Sequence, residues 1–156
     1  MVIFEDTREQ AGKHGNVHRY CEKHGIRIVR TKLAVGDYML AGPGGGVVSV
    51  DTKTLGVAEL ASNCFQEHDR FRAECVLARD CGIRLIVLVE EQLPGGRLEN
   101  WRSPIGWDGL PMHKFRPEIL KKVMITMQKE YGVRFRFCHP NATGRLLMEY
   151  LTGVRE

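Results

Sequence analysis

Two aspartates and a lysine lie in one short segment, AVGDYMLAGPGGGVVSVDTKTL, at residues 34–55. Its runs DYMLA and VVSVDTK are separated by GPGGG, a pattern that predicts a β-hairpin with a longer loop. With the loop on the glycine-rich stretch, a simple antiparallel register pairs Asp37 with Asp51. Directly opposed residues point to the same face, with Cβ atoms about 4.5–5.5 Å apart. Lys53 lies two residues beyond Asp51, so the hairpin gathers two carboxylates and one ammonium group at one end of a sheet.

This arrangement is suited to metal-assisted hydrolysis of a phosphodiester. Opposed like charges are unfavourable in a strand pair, and a divalent cation would offset them. Carboxylate ligands suit Mg²⁺ or Mn²⁺, and Mg²⁺ usually combines one or two carboxylates with waters and substrate phosphate. A lysine beside the metal can orient or deprotonate a water, or stabilise charge on a phosphate. The alternative is a surface salt bridge between Lys53 and one aspartate, since D-x-K triplets are frequent by chance.

The elements around the hairpin predict an α/β fold in one domain, residues 1–156. Further strands are predicted at MVIF, IRIVRTKLAV, IRLIVLVE and VRFRF, and the continuous apolar run of IRLIVLVE predicts burial on both faces. Helices are predicted at 11–24, 58–80, 118–131 and 142–151. We therefore expect a central mixed β-sheet flanked by helices, with an irregular loop insertion at residues 92–117.

Composition limits the class of protein. The chain has 156 residues, 43% of them hydrophobic, which is enough for one domain with a core. It lacks an apolar run of the roughly 18 residues that span a bilayer. Acids follow the first four residues, where a signal peptide would have its apolar core. We expect an intracellular protein with no membrane partner, and a net charge of +4 is compatible with a nucleic-acid partner.

Cysteine and histidine spacing gives little support to a structural zinc site. The five cysteines include no C-x-x-C pair, which argues against a zinc ribbon and a disulfide framework. His14 and His18 have the i, i+4 spacing that can bind zinc, but no H-E-x-x-H motif accompanies them. Zinc is therefore not expected.

Three motifs in order resemble the nuclease domain of the XPF family. They are VIFEDTREQ, KLAVGDYML and VVSVDTKTL, against a family pattern of D-x-R-E, V-G-D-Y and an acid-Arg-Lys triplet. The similarity continues through most of the chain outside the loop insertion. It implies a restriction-endonuclease-like fold and a metal-dependent DNA endonuclease acting on branched, flap or junction DNA in repair, recombination or replication. The chain ends at Glu156 without room for the helix-hairpin-helix domain of many members, which favours a bacterial or phage-infected cell as its setting.

The resemblance implies catalytic roles for five residues. Asp37 and Asp51 would be the main ligands of Mg²⁺, for which Mn²⁺ would substitute, and Lys53 would be the catalytic lysine. Glu9 and Asp6 would complete the acidic cluster, directly or through water, with Glu9 as the third metal ligand.

The triplet departs from the family pattern. Asp51 and Thr52 stand where the family usually has Glu and Arg, and Val57 stands where an acid usually follows the lysine. Because Asp is one methylene shorter, the metal position can shift. The alternative function is therefore an inactive XPF-like module that binds DNA and supports an active partner, although such a module has no reason to keep Asp37, Asp51 and Lys53 together. A third hypothesis is a related nuclease for ordinary duplex or single-stranded DNA.

The expected DNA contacts come from cations and aromatic rings. The resemblance implies that Arg8 contacts a phosphate or ties the acidic cluster together. Arg70 would reach a phosphate from the helix after the triplet. Trp101, Arg102 and Lys114 lie in the loop insertion, where rings would stack on unpaired bases and cations would meet the backbone. The alternative is an ordered loop pinned by its own tryptophans. The resemblance also implies a homodimer or a nuclease partner subunit.

Overall fold

A mixed six-stranded sheet forms the centre of the computed structural model, which describes residues 1–156. The strands are β1 (Val2–Asp6), β2 (Arg27–Thr31), β3 (Tyr38–Leu40), β4 (Val48–Lys53), β5 (Arg84–Glu90) and β6 (Arg134–Cys138). Their order is β2-β1-β3-β4-β5-β6. Strand β3 is antiparallel to β1 and β4, and all other neighbours are parallel. The predicted mixed sheet is confirmed.

The hairpin of β3 and β4 has the register predicted from its loop. Tyr38 pairs with Val50, and the backbone N–H of Asp37 donates to the carbonyl oxygen of Val50 at 2.9 Å. Asp37 is therefore next in register, opposite Asp51, where the chain enters β3. The residue before it must be glycine, because Gly36 has a φ of +73° and a Cβ there would lie 2.0 Å from a side-chain oxygen of β4.

Five helices cover the two faces of the sheet. They are α1 (Gly15–Lys23), α2 (Val57–Phe65), α3 (His68–Asp80), α4 (Pro117–Tyr131) and α5 (Thr143–Leu151). None of them combines the length and apolar character needed to cross a membrane. Helices α1 and α5 pack on one face, and α2, α3 and α4 pack on the other.

The single helix predicted over residues 58–80 is wrong, because the chain breaks at Gln66 and Glu67 into α2 and α3. Phe65 and Phe71 are six positions apart, which is not a repeat of the 3.6-residue helix. A straight helix would therefore turn one ring away from the core. The break lets Phe71 become buried, while Phe65 stays 38% exposed.

Strand β5 is buried on both faces, as its continuous apolar run predicted. Leu85, Val87 and Val89 belong to the core beneath α2, α3 and α4. Ile86 and Leu88 belong to the core beneath α1 and α5. This inner strand therefore holds its neighbour β4, and with it the end of the hairpin, in a fixed position.

Close contact between α1 and α5 gives a first testable prediction. A Cβ at Gly144 of α5 would lie 2.3 Å from the Cβ of Tyr20 on α1. Gly144→Ala should therefore lower the free energy of unfolding by about 1–3 kcal/mol, measured by chemical denaturation. Gly15→Ala on α1 is the control, because its Cβ would meet only the flexible guanidinium of Arg19 at 3.1 Å. Equal stability of the two variants would contradict the packing.

Candidate active site

An acidic cleft with a volume of about 460 Å³ opens where β1, β3 and β4 meet α2 and α3. Seven carboxylates and four cations line it. The carboxylates belong to Asp6, Glu9, Asp37, Asp51, Glu59, Glu67 and Glu74, and the cations to Arg8, Lys13, Lys53 and Arg70. The fold thus brings together all five residues expected to be catalytic, and Arg8 and Arg70 with them.

Asp37 and Asp51 form a buried carboxylate pair in this cleft. They are 4% and 6% exposed. Burial and the neighbouring charge of Asp51 raise the pKa of Asp37 well above its usual range. Asp37 accepts hydrogen bonds at Oδ2 from the backbone N–H of Thr52 at 2.8 Å and from its hydroxyl at 2.9 Å. These bonds fix one oxygen of Asp37 and leave Oδ1 available.

Lys53 is a buried cation beside the pair. Its Nζ lies 2.8 Å from Asp51 Oδ2 and donates to Asn63 Oδ1 at 2.8 Å. The buried ion pair with Lys53 is the one contact that Asp51 Oδ2 makes with a donor group of the protein. Although burial alone lowers the pKa of Lys53, the charge of Asp51 outweighs it and the pKa is raised. Lys53 is therefore charged at neutral pH and does not act as a proton acceptor in this state.

Glu9 approaches the pair from the segment after β1, and His14 approaches from the start of α1. A carboxylate oxygen of Glu9, a ring nitrogen of His14 and a carboxylate oxygen of Asp37 all lie within 4.8 Å of one another. Lys13 Nζ lies 2.9 Å from Glu9 Oε2. The other carboxylate oxygen of Glu9, Oε1, makes no ion pair with Lys13. Burial lowers the pKa of His14, so its ring is neutral at neutral pH.

Asp6 and Arg8 hold the backbone around the cleft. Asp6 Oδ1 accepts from the backbone N–H of Leu33, and Oδ2 accepts from Arg8 Nε at 2.8 Å. Arg8 also donates to the carbonyl oxygen of Leu33 at 2.7 Å. Both oxygens of Asp6 thus have partners within the protein, and Arg8 ties the cluster to the chain that leads into β3.

Arg70 and the loop residues differ in how freely they meet solvent. The side chain of Arg70 is 86% exposed at the cleft.

Trp101 is only 5% exposed; its ring stacks on Phe115 with centroids 4.9 Å apart, and its indole N–H donates to Glu91. The expectation that Trp101 stacks on DNA bases is therefore wrong, because its faces are covered. It pins the loop instead, and the exposed ring of this loop is that of Trp107.

Arg102 and Lys114 lie outside the acidic cleft. The guanidinium of Arg102 donates to the carbonyl oxygens of Glu99 and Trp101. Lys114 lines a second, more apolar cleft of about 650 Å³ between α2 and the loop insertion, which shares no residue with the first. If these two cations meet DNA, they do so away from Asp37 and Asp51.

Sequence reasoning missed three polar residues that shape the site. Asn63 holds the ammonium group of Lys53, and Glu74 accepts from the backbone N–H of Gly36 at 2.8 Å. Burial and Asp51 raise the pKa of Glu74. The spacing of Glu74 one turn after Arg70 on α3 was the available signal for that residue. His14, the third, had no local signal, because only the tertiary fold brings it to Asp37.

Comparison with solved structures shows the fold. The chain is similar to XPF from Aeropyrum pernix, with a TM-score of 0.67 and 19% sequence identity over 100% of this chain. A second structure, of XPF from Aeropyrum pernix in complex with DNA, matches 98% of this chain with a TM-score of 0.66 and 18% identity. The chain spans 63% and 64% of the length of those two proteins.

Comparison with curated protein sequences finds no significant match. The ERCC4 domain family matches residues 6–149, which begin at Asp6 in the first acidic motif and end within α5. The match includes both strands of the hairpin and every residue that lines the acidic cleft. The chain therefore belongs to the ERCC4 domain family and has the fold of an XPF nuclease domain.

Proposed function

We propose that this domain is a divalent-metal-dependent DNA endonuclease that hydrolyses phosphodiester bonds in branched, flap or junction DNA. The observation that carries the proposal is the buried pair of Asp37 and Asp51 with the charged Lys53 beside it, 2.8 Å from Asp51. Two buried carboxylates with one cation leave an excess of negative charge that a divalent ion would offset. Membership of the ERCC4 domain family supports the same reaction.

The residues of the cleft fit a hard divalent cation. Asp37 keeps Oδ1 free of protein donors, and Asp51 Oδ2 has only the ammonium group of Lys53 as a partner. Together with Glu9 they would hold Mg²⁺, with Mn²⁺ as a substitute, because both ions accept carboxylate oxygens. When bound, such an ion supplies Lewis-acid activation of a phosphodiester and of water.

Lys53 would contribute charge stabilisation. Asn63 and Asp51 hold its ammonium group in place, so the positive charge is fixed before the substrate arrives. A fixed cation lowers the free energy of a transition state in which negative charge grows on phosphate oxygens. In the metal-free protein the pKa of Lys53 is raised by Asp51, so the charged form is the one held in place beside the carboxylates.

The substrate is proposed from the family and from the surface around the cleft. One similar protein was solved in complex with DNA. In this chain, Arg70 reaches solvent at the cleft and Arg8 is half-exposed, so both would meet phosphates. Repair, recombination or replication would be the setting. A homodimer or a nuclease partner subunit remains a prediction.

The loop insertion offers one exposed ring for an unpaired base. Trp107 is fully exposed, so Trp107→Ala should weaken binding to forked DNA by about 1–3 kcal/mol, the usual contribution of one stacked base. Fluorescence anisotropy with forked and blunt duplex DNA would measure it. Leu110→Ala, an exposed apolar residue of the same loop, is the control. Equal loss on both DNAs, or none, would contradict stacking on an unpaired base.

The substrate class is tested with end-labelled flap, fork, four-way-junction and linear duplex DNA in Mg²⁺, Mn²⁺ and EDTA. We expect metal-dependent cleavage that favours branched substrates. Equal cleavage of linear duplex would support the third hypothesis, a nuclease of ordinary DNA. DNA binding without cleavage in either metal would support the inactive module, which the Asp51–Thr52 departure from the family triplet favours.

A further inference from the structure

His14 is a buried histidine that the family motifs do not include. It precedes α1, is 3% exposed, and packs edge-on against the ring of Tyr38 with centroids 5.4 Å apart. Its Nδ1 lies 2.9 Å from the hydroxyl oxygen of Thr52, and its Nε2 is buried with no hydrogen-bond partner. Buried polar atoms without partners are uncommon in native proteins and mark bound ions or waters.

The hydrogen bonds of Thr52 define which ring nitrogen of His14 carries the proton. The hydroxyl of Thr52 has one proton, and it is donated to Asp37 Oδ2 at 2.9 Å. The hydroxyl oxygen must therefore accept from the Nδ1–H of His14. Nε2 then has a lone pair and no proton, which is the form of imidazole that binds metals. The same bond orients the ring, as a partner on the second nitrogen does for histidine ligands.

Two carboxylates complete a set of three donors. Oxygens of Glu9 and Asp37 and one ring nitrogen of His14 lie within 4.8 Å of one another. Three separate parts of the chain supply them: the segment after β1, the residue before α1 and the entry to β3. Lys13 now supplies the positive charge beside Glu9, at 2.9 Å from Oε2. A cation among these donors would offset the two carboxylates, and Nε2 is the ring nitrogen of His14 that is free to join them.

We propose that His14 is a nitrogen ligand of the divalent metal, which it holds together with Glu9 and Asp37. The inference rests on the metal dependence proposed above and adds a choice of metal. Imidazole nitrogen suits transition metals, whereas Mg²⁺ favours oxygen ligands. The preference of this site for Mn²⁺ over Mg²⁺ is therefore stronger than the preference of a site built from carboxylates alone. Asp37 belongs both to this set and to the pair with Asp51.

Electron spin-echo spectroscopy of the Mn²⁺-loaded whole chain, without DNA, tests the ligand directly. The wild-type protein should show modulation from a coordinated nitrogen, and labelling its histidines with ¹⁵N should change that modulation. His14→Gln should remove it, and His24→Gln, at an exposed histidine that follows α1, should retain it. Bound Mn²⁺ with no nitrogen modulation in the wild type would overturn the inference even if His14→Gln failed to fold.

Calorimetric titration with Mn²⁺ and with Mg²⁺ separates ligation from a structural role. In folded His14→Gln, the affinity for Mn²⁺ should fall by at least about tenfold, and the affinity for Mg²⁺ should fall less. An equal loss for both ions would mean that His14 only supports the fold, and would overturn the inference. Mn²⁺ that binds without nitrogen ligation would leave the proposed nuclease intact, whereas no binding of either ion would remove both proposals.

Discussion

Lys53→Met is expected to slow DNA cleavage by roughly 10²- to 10³-fold without loss of metal binding. The side chain of Lys53 is 8% exposed and its ammonium group is fixed between Asp51 and Asn63. Methionine fills much of the same volume beside Phe71, over which Nζ lies 5.6 Å from the ring centroid. It removes the positive charge, so the transition state loses its fixed cation. Single-turnover cleavage of forked DNA would measure the change.

Metal binding distinguishes this effect from damage to the site. Removing a cation beside the carboxylates should leave the affinity for Mn²⁺ unchanged or raise it. Unpaired Asp51 destabilises the metal-free variant by about 3–5 kcal/mol, so stability must be compared with Mn²⁺ present. Lys122→Met, the same change at an exposed position on α4, should cleave like wild type. Cleavage by folded, metal-loaded Lys53→Met at the wild-type rate would contradict the proposed role.

Asp37→Asn is expected to abolish metal-dependent cleavage and yet stabilise the metal-free protein at neutral pH. Asp37 is 4% exposed, and burial together with Asp51 raises its pKa above the ordinary value of 3.8. Asparagine cannot ionise, and its carbonyl oxygen can still accept the two hydrogen bonds from Thr52. The variant therefore keeps the contacts of Asp37 and loses its repulsion with Asp51. Asp37, proposed here as a metal ligand, is thus expected to lower the free energy of unfolding of the metal-free protein.

The pH dependence of this effect has a definite sign. With a raised pKa in the folded state, Asp37 contributes stability that is fully present below pH 3.8 and is lost as the pH rises through the raised value. The stability of metal-free wild type relative to Asp37→Asn should fall by about 1.4 kcal/mol per pH unit in that interval. Urea denaturation in EDTA at several pH values would measure it. A difference that does not change with pH would contradict the raised pKa.

Metal should reverse the order of stability. A ligand at 100 times its dissociation constant stabilises the folded state by about 2.7 kcal/mol, and wild type should gain this from Mn²⁺. Asp37→Asn should gain little stability from Mn²⁺. It lacks the carboxylate charge that Asp37 contributes both to the pair with Asp51 and to the donors Glu9 and His14. Asp80→Asn, at an exposed position at the end of α3, should respond to Mn²⁺ like wild type.

The hairpin was predictable because two independent patterns agree on it. The loop GPGGG and the two apolar runs allow one simple register, and that register brings Asp37 opposite Asp51 in the structure. Strand β5 was predictable for a similar reason, since a continuous apolar run has no polar face to expose. The motif resemblance added Glu9, Asp6 and Arg8, and the cations of the helix after the triplet added Arg70; the fold gathers all four in one cleft.

The errors concern features that only tertiary packing decides. No Gly or Pro marks the break between α2 and α3; the break lets Phe71 pack into the core. Trp101 is an aromatic residue in a loop with cations, which is typical of base stacking, but Phe115 and Glu91 cover its ring. His14 gains its place through Thr52, which stands at the position where the family usually has arginine. Thr52, which departs from the family triplet, and His14, which no sequence pattern placed at this site, are thus in direct contact.

Cleavage of a forked DNA by wild type and by Asp51→Asn, in Mg²⁺ and in EDTA, tests the central claim most directly. Asp51 is 6% exposed, and Asn is nearly isosteric with it, so the change removes the charge and little else. Wild type should cut in Mg²⁺ and not in EDTA, and Asp51→Asn should be slower by at least about 10²-fold while still binding DNA. Asp80→Asn should cut like wild type. Metal-dependent cleavage that persists in Asp51→Asn would show that the buried pair is not the catalytic centre.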